Sequence, residues 1–327
     1  MGKIMPKTVW ILTDNRRGSV NQAKGVADAL DHEQFSIIEK NIEYNRWSGL
    51  PNWIRGKSLL GTTEATRKQI CAPYPDIVIS VSRRTVPVAR FIKTRYPQVK
   101  LVQLMHPGRT GLKDFDLIVV PEHDRNKLKS PNIHYILGCP HRVTEKYLTA
   151  GRLRWQEEFA HLPKPLTAVI IGGSIKGKPF SDDNAAALGQ AVRRLKEAIG
   201  GSLLLTTSRR TGITAEKIIL SAVKDIPQYT YLWGDMKENP YNGFLACADN
   251  IVITGDSVSM CCEATGTGKP IYVFCGQNWL TPKHLRFVDS ICKAKCAIRI
   301  EDKNAASFHP EKSLNAAAEV ADLLTKL

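Results

Sequence analysis

The sequence predicts an α/β protein made of two doubly wound domains in tandem, and three observations lead there. Short continuous apolar runs alternate with segments of helical spacing, the pattern of βαβ units around a parallel sheet buried on both faces. The alternation pauses once, at Leu162-Pro163-Lys164-Pro165, and then restarts. The chain has 327 residues, 43% of them hydrophobic, enough to fill two cores. The expected division is a Rossmann-like domain over 1–162, a second over 163–305, and a C-terminal helix within 306–327 that packs back on the first.

In the first half the expected strands are TVWILTD (8–14), FSIIEKN (35–41), DIVISVS (76–82), KLVQLMH (100–106), FDLIVVP (115–121) and IHYILG (133–138). Helical patterns run from Val20 to Leu30 and from Thr85 to Thr94. In the second half the strands are LTAVIIGG (166–173), SLLLTTS (202–208), YTYLWG (229–234), NIVITGD (250–256) and PIYVFC (270–275). Helices are expected over Asp183 to Ala198, from Ala215, from Ser259, and as one amphipathic stretch from Pro310 to Leu327. Two such domains are expected to close over a cleft, with the carboxyl ends of both sheets lining it.

Bulk properties exclude several classes. No run approaches the eighteen or so apolar residues that span a bilayer. The opening MGKIMPKTVWILTDN reads as a strand and not as a cleavable signal, and Pro6 stands where a myristoylation motif wants Ser or Thr. The eight cysteines lack C-x-x-C spacing and read as reduced, mostly buried thiols. A cytoplasmic protein is expected, peripheral to a membrane at most. The net charge of +15 favours anionic partners, but the basic residues are dispersed without RNA-binding aromatics, so no nucleic acid is expected.

The tetrapeptide Ser-Arg-Arg-Thr occurs twice, as Ser82-Arg83-Arg84-Thr85 and as Ser208-Arg209-Arg210-Thr211, each between an apolar run and a helical pattern. Ligands of open α/β sheets bind at such turns, where free N–H groups, a helix dipole and guanidiniums can clamp an anion. Solvated turn residues and a chance repeat are the plain alternative. The matching positions favour function: the second copy for a donor's diphosphate, the first for an anion on the acceptor side.

The strongest local pattern is IVITGDSVSMCCEATGTGKPIYVF (251–274). A strand leads into Gly255-Asp256-Ser257-Val258-Ser259, a helix follows, and Gly-Lys-Pro opens the next strand. Small residues let a phosphate approach backbone amides, Ser257 and Ser259 add hydroxyls, and Glu263, one turn after Ser259, can accept both hydroxyls of a ribose. A helix cap at Asp256 or Ser259 with a dipole-complementing Glu263 is the structural alternative. The glycine turn Gly172-Gly173-Ser174 at the first strand of the same domain favours the nucleotide reading.

Strand, Gly-Asp-Ser-x-Ser-Met, helix with an early Glu, and Gly-Lys-Pro resemble the nucleotide-sugar site of GT-B glycosyltransferases. They are most similar to the lipid-intermediate N-acetylglucosaminyltransferase and lipid A disaccharide synthase groups. Further stretches are Asn21-Gln22-Ala23-x-Gly25, Ser82 to Ala89, Val119 to Asp124, Pro140 to Thr144, Thr206 to Thr211, Asn239 to Leu245 and Asp256 to Met260. On these, which cover roughly residues 8 to 300, the whole chain resembles the mitochondrial fission ELM-type family, a GT-B-like group. His106 departs from it, standing where many members have Asp. In plants the resemblance implies an adaptor role in organelle division.

What GT-B likeness implies is metal-independent transfer from a nucleoside diphosphate sugar of uridine type, with no other cofactor. Arg209 and Arg210 would stabilise the leaving diphosphate. Asp114-Phe115-Asp116 matches a D-x-D metal motif but opens a strand, and reads as solvent-facing polar residues. Candidate bases on the first domain are Asp14, Glu122 and His123, the last two equally readable as an internal hydrogen-bonded pair. Asn21 and Gln22, at the opening of the first helix, and His106 complete the acceptor-side candidates. The segment NRWSGLPNWIRGKSLLG (45–61) mixes tryptophan with basic residues, as membrane interfaces do, or is a connector with its apolar side packed inward. Three readings remain: a glycosyltransferase, possible membrane acceptor included; a non-catalytic adaptor; and a nucleotide-sugar epimerase.

Overall fold

The computed structural model describes residues 5–125 and 129–327. They form two compact units, one of residues 1–142 with 315–327 and one of residues 143–314. Each is a six-stranded, wholly parallel sheet flanked by helices.

The first unit contains β1 (Lys7–Thr13), α1 (Arg17–Ala29), β2 (Phe35–Asn41), α2 (Asn52–Arg55), α3 (Glu64–Gln69), β3 (Ile77–Val81), α4 (Ser82–Arg95), β4 (Lys100–Leu104), β5 (Leu117–Pro121) and β6 (Ile133–Ile136). The strand order is β2-β1-β3-β4-β5-β6. Every residue of β3 and β5 is buried, which is why these strands read as unbroken apolar runs. Two buried clusters cover the two faces. Val9, Ile11, Ile77 and Ile79 belong to one; Trp10, Leu12, Val78 and Ile118 belong to the other.

The second unit contains α5 (Glu145–Phe159), β7 (Leu166–Ile170), α6 (Asp182–Ile199), β8 (Ser202–Thr206), α7 (Ile213–Ala222), β9 (Gln228–Tyr231), α8 (Tyr241–Cys247), β10 (Asn250–Thr254), α9 (Val258–Thr265), β11 (Ile271–Phe274), α10 (Pro282–Lys293) and β12 (Ile298–Arg299). Its order is β12-β11-β10-β7-β8-β9. The helix α11 (Ala316–Thr325) closes the chain within the first unit, where Val320 and Leu324 share a core with Val26 and Leu30 of and beside α1.

Three differences from the expected layout have physical reasons. The division falls after Arg142, not near Pro163, because α5 packs on α8 of the second unit. A Cβ at Gly243 would lie 2.4 Å from Trp155 Cγ, and one at Gly151 2.8 Å from the Asn242 carbonyl, so two glycines permit the close approach. Trp155 and Phe159 then stack, and Phe159 packs edge-on to Tyr229. The last helix begins at Ala316, not Pro310, with Asn315 accepting from the Ala318 amide as its cap. The edge strand β12 has two residues and too little periodicity to be read from the sequence.

Candidate functional site

In each sheet the strand order reverses at one place, between β1 and β3 in the first and between β7 and β10 in the second. Crevices at such reversals, beyond the carboxyl ends of the strands, are where doubly wound sheets take ligands. In the second unit three turns meet there. Gly172 N–H donates to Thr254 Oγ1 at 2.7 Å, and Gly173 N–H to Asp256 Oδ2 at 3.0 Å, tying the turn after β7 to the turn after β10. Ser208 and Thr211 hydroxyls donate to the Gly172 carbonyl at 2.5 and 2.6 Å, tying in the turn after β8.

The two glycines are required by this closeness. A Cβ at Gly172 would sit 2.2 Å from Asp256 Oδ2, and one at Gly173, whose φ is +143°, 2.1 Å from the Arg210 carbonyl. Trp279 Nε1 donates to the Gly173 carbonyl at 3.2 Å and holds the turn from behind.

Asp256 and Arg210 form an ion pair at 2.7 Å, and the same guanidinium nitrogen donates to the Ser174 carbonyl at 3.1 Å. Burial pushes the Asp256 carboxyl above its ordinary range, with Arg210 opposing. Arg210 thus braces Asp256 and the Ser174 carbonyl through one guanidinium nitrogen. Arg209 is exposed and has no recorded ion pair among the described residues. Neither Asp256 nor Ser259 caps α9: the N-cap is Ser257, without a side-chain cap bond. The first-turn amides of α9 therefore remain open to a ligand. Glu263 does more than complement a dipole, since it accepts from the Tyr241 hydroxyl at 2.5 Å. Burial pushes its carboxyl up while that hydrogen bond opposes.

The Gly-Lys-Pro stretch lies elsewhere. Lys269 precedes β11, at the amino ends of the strands, and donates to the Leu245 and Ala246 carbonyls at 2.6 and 2.8 Å in the last turn of α8. It is a helix cap and belongs to no nucleotide turn.

In the first unit, Asp14 is buried at the end of β1; its Oδ1 accepts from Arg16 N–H at 3.0 Å and its Oδ2 lies 3.9 Å from Arg84 Nη1. The Arg84 guanidinium also covers the Tyr44 ring at 4.0 Å. Ser82 starts α4 at a left-handed φ of 68°, held because buried Gln103 donates to its carbonyl at 3.1 Å and accepts from Ser80 at 2.7 Å. Thr85 completes this network, 2.8 Å from Ser80 Oγ. His106 Nδ1 accepts from Gly108 N–H, and burial followed by the nearby Arg83 charge lowers its pKa. Glu122 is exposed and His123 buried 3.8 Å from Asp124, so the carboxylate recorded beside His123 is that of Asp124, not of Glu122. Asn21 and Gln22 sit in the second turn of a helix that begins at Arg17, so neither opens nor caps it. Asp114 pairs with Arg90 and Lys57, and Asp116 with Lys93 and Lys100, which corrects their reading as solvent-facing residues.

A different set was missed from sequence. Pro87 lies inside α4 and cannot donate to the Arg83 carbonyl; Asn52 Nδ2 does so instead at 2.8 Å. Arg55, 1% exposed, donates to the Arg84 carbonyl at 3.3 Å. The segment 45–61 is thereby anchored through polar groups; Trp47 (47%), Trp53 (72%) and Ile54 (44%) face solvent, while Leu59 packs against the core of the first unit.

A family model described as "Mitochondrial fission ELM1" matches residues 17–327. The chain belongs to that family. Uncharacterized protein RP120 of Rickettsia prowazekii is 30% identical over 353 residues, covering 97% of each chain. Mitochondrial fission protein ELM1 of Arabidopsis thaliana is 34% identical over 221 residues, 61% of this chain and 51% of that one, so the match spans about half the plant protein. Among solved structures, UDP-GlcNAc 2-epimerase from Methanocaldococcus jannaschii superposes with a TM-score of 0.57 at 10% identity, covering 98% of this chain and all of that one. MurG of Acinetobacter baumannii gives 0.53 at 14%, and UDP-GlcNAc 2-epimerase from Neisseria meningitidis, bound to UDP-GlcNAc, 0.53 at 12%, with the same coverage. At these identities the likeness is one of fold: this chain has a GT-B glycosyltransferase-like architecture. Pro140-His141 and Gly25, among the stretches that suggested the family, meet in space: a Cβ at Gly25 would fall 2.4 Å from the His141 carbonyl. No helix of the described residues is long and apolar enough to cross a membrane.

Proposed function

We propose that the second unit binds a nucleoside diphosphate sugar, of uridine type, and that the protein transfers the sugar to an acceptor. The observation that carries this reading is the junction of three turns at the β7/β10 reversal, where the amides of α9 and the exposed Arg209 are left open while Asp256 and Arg210 neutralise each other. The diphosphate would take the α9 amides, Ser257, Ser259 and Arg209. Glu263, with one oxygen held by Tyr241, would take the ribose. Transfer breaks the bond from the anomeric carbon to the diphosphate oxygen and forms one to the acceptor oxygen. Arg209 and the helix dipole stabilise the departing charge, and the acceptor's proton passes to a general base. The UDP-GlcNAc carried by one structural neighbour supports the uridine type.

The plant relative's name supports a second reading, a non-catalytic adaptor that kept the fold. Isothermal titration with UDP, UDP-GlcNAc and other nucleoside diphosphates separates them. Saturable binding of a uridine diphosphate upholds the donor site; silence across the panel leaves the adaptor. Scrambling of the sugar's C2 configuration without an acceptor would instead identify an epimerase.

A further inference from the structure

The first unit carries a cavity of about 370 Å³ between the segment before and within α2, the first residues of α4, and the loop from Pro107 to Thr110. Four arginines line it, Arg55, Arg83, Arg84 and Arg109, and no aspartate or glutamate does. The nearest carboxylate recorded for any of them is Asp14, 3.9 Å from Arg84 and already accepting from the Arg16 amide. Arg83 and Arg109 are exposed and have no recorded ion pair among the described residues. Arg55 is buried with two of its nitrogens bonded to the Leu60 and Arg84 carbonyls and its Nη2 without a hydrogen-bond partner.

Like charges gathered in a partly desolvated space repel, and a buried guanidinium nitrogen without an acceptor costs free energy. The chain nevertheless fixes this arrangement with specific bonds. Asn52 and Arg55 bind the Arg83 and Arg84 carbonyls, and the Ser80–Gln103–Thr85 network holds Ser82 in its left-handed turn at the head of α4. An anion with several oxygens would satisfy both the charge and the unmet donors, and planar guanidinium forks select phosphate over a single point acceptor.

We infer that this cavity is a binding site for a phosphate ester, held by Arg83, Arg84 and Arg109 at the amino end of α4. The inference stands apart from the nucleotide site of the second unit and does not depend on it. Half-buried Leu50 and the largely exposed Trp53 form the apolar wall, so the phosphate is carried on an apolar or aromatic body. A soluble phosphorylated compound and a phosphate at a lipid surface share this chemistry.

Inorganic pyrophosphate titrated calorimetrically into the full chain at low salt tests the site, with flotation on phosphatidylcholine vesicles with and without phosphatidic acid as the second arm. Arg83→Ala/Arg109→Ala removes two exposed side chains and should leave the fold intact, checked by its unfolding midpoint. It should weaken pyrophosphate binding at least about tenfold, the loss of charge-assisted hydrogen bonds. Arg209→Ala, in the other unit, should retain the first unit's binding. Capture by phosphatidic acid vesicles that is lost in the double variant assigns the phosphate to a lipid. Pyrophosphate binding without such capture assigns it to a soluble compound. If neither probe binds, or if both bind the double variant as they bind the unaltered chain, the inference is wrong.

Discussion

Glu263 is the residue whose role differs most between a cap and a ligand. Its bond to Tyr241 fixes one oxygen and orients the other, as a ribose acceptor requires. Glu263→Ala should weaken uridine diphosphate binding by about 1–3 kcal/mol, the cost of losing a hydrogen bond to a charged group. Unchanged affinity by calorimetry would move the ribose elsewhere. Lys269 answers to pH instead. Burial brings its ammonium from an ordinary 10.5 to about 8. Between those values the unfolded chain holds a proton that the folded one has released, so this residue's contribution to stability rises with pH over that window. Denaturant midpoints at pH 8 and pH 10 should show a smaller rise for Lys269→Met than for the unaltered chain. The spacing of Gly-Lys-Pro made Lys269 visible in the sequence but not its end of the sheet, because position relative to a strand's two ends is set by the fold.

Among the elements, α4 shows how a helix can begin with a defect and use it. Pro87 removes one donor, and the vacated Arg83 carbonyl becomes the anchor for Asn52 and so for the segment 45–61. Asn52→Ala should cost about 1 kcal/mol. The cost should shrink toward zero in a Pro87→Ala background, where the helix supplies its own donor; a double-mutant cycle by urea unfolding measures the difference. Additive effects would mean that the two residues are not partners. Strands such as β3, β5, β7 and β8 were legible as apolar runs because both of their faces are covered. The helix α5 was not assigned, since its contacts rest on glycine positions and one tryptophan that periodicity does not weigh.

Across the whole molecule, the repeated Ser-Arg-Arg-Thr has a different meaning from the one its sequence suggests. The first copy follows β3, on one side of the β1/β3 reversal, and its counterpart in the second sheet is the turn after β10, which carries Asp256 and Ser257. The second copy follows β8, whose counterpart is β2. The two copies are therefore not in matching positions. Their conformations differ as well, since Ser82 already belongs to α4 whereas Ser208 to Thr211 form a turn before α7. Local resemblance cannot report strand order, which long-range pairing decides. What the sequence did convey was the pair of glycines, the Gly-Asp-Ser-x-Ser turn and Arg209, all at one sheet reversal. Hydrogen exchange with and without saturating uridine diphosphate tests that convergence most directly. The account predicts added protection in three separated stretches, 171–175, 207–212 and 255–263, with the amino-end segment around Lys269 unchanged. Protection confined to other segments, or none at saturation, would contradict it.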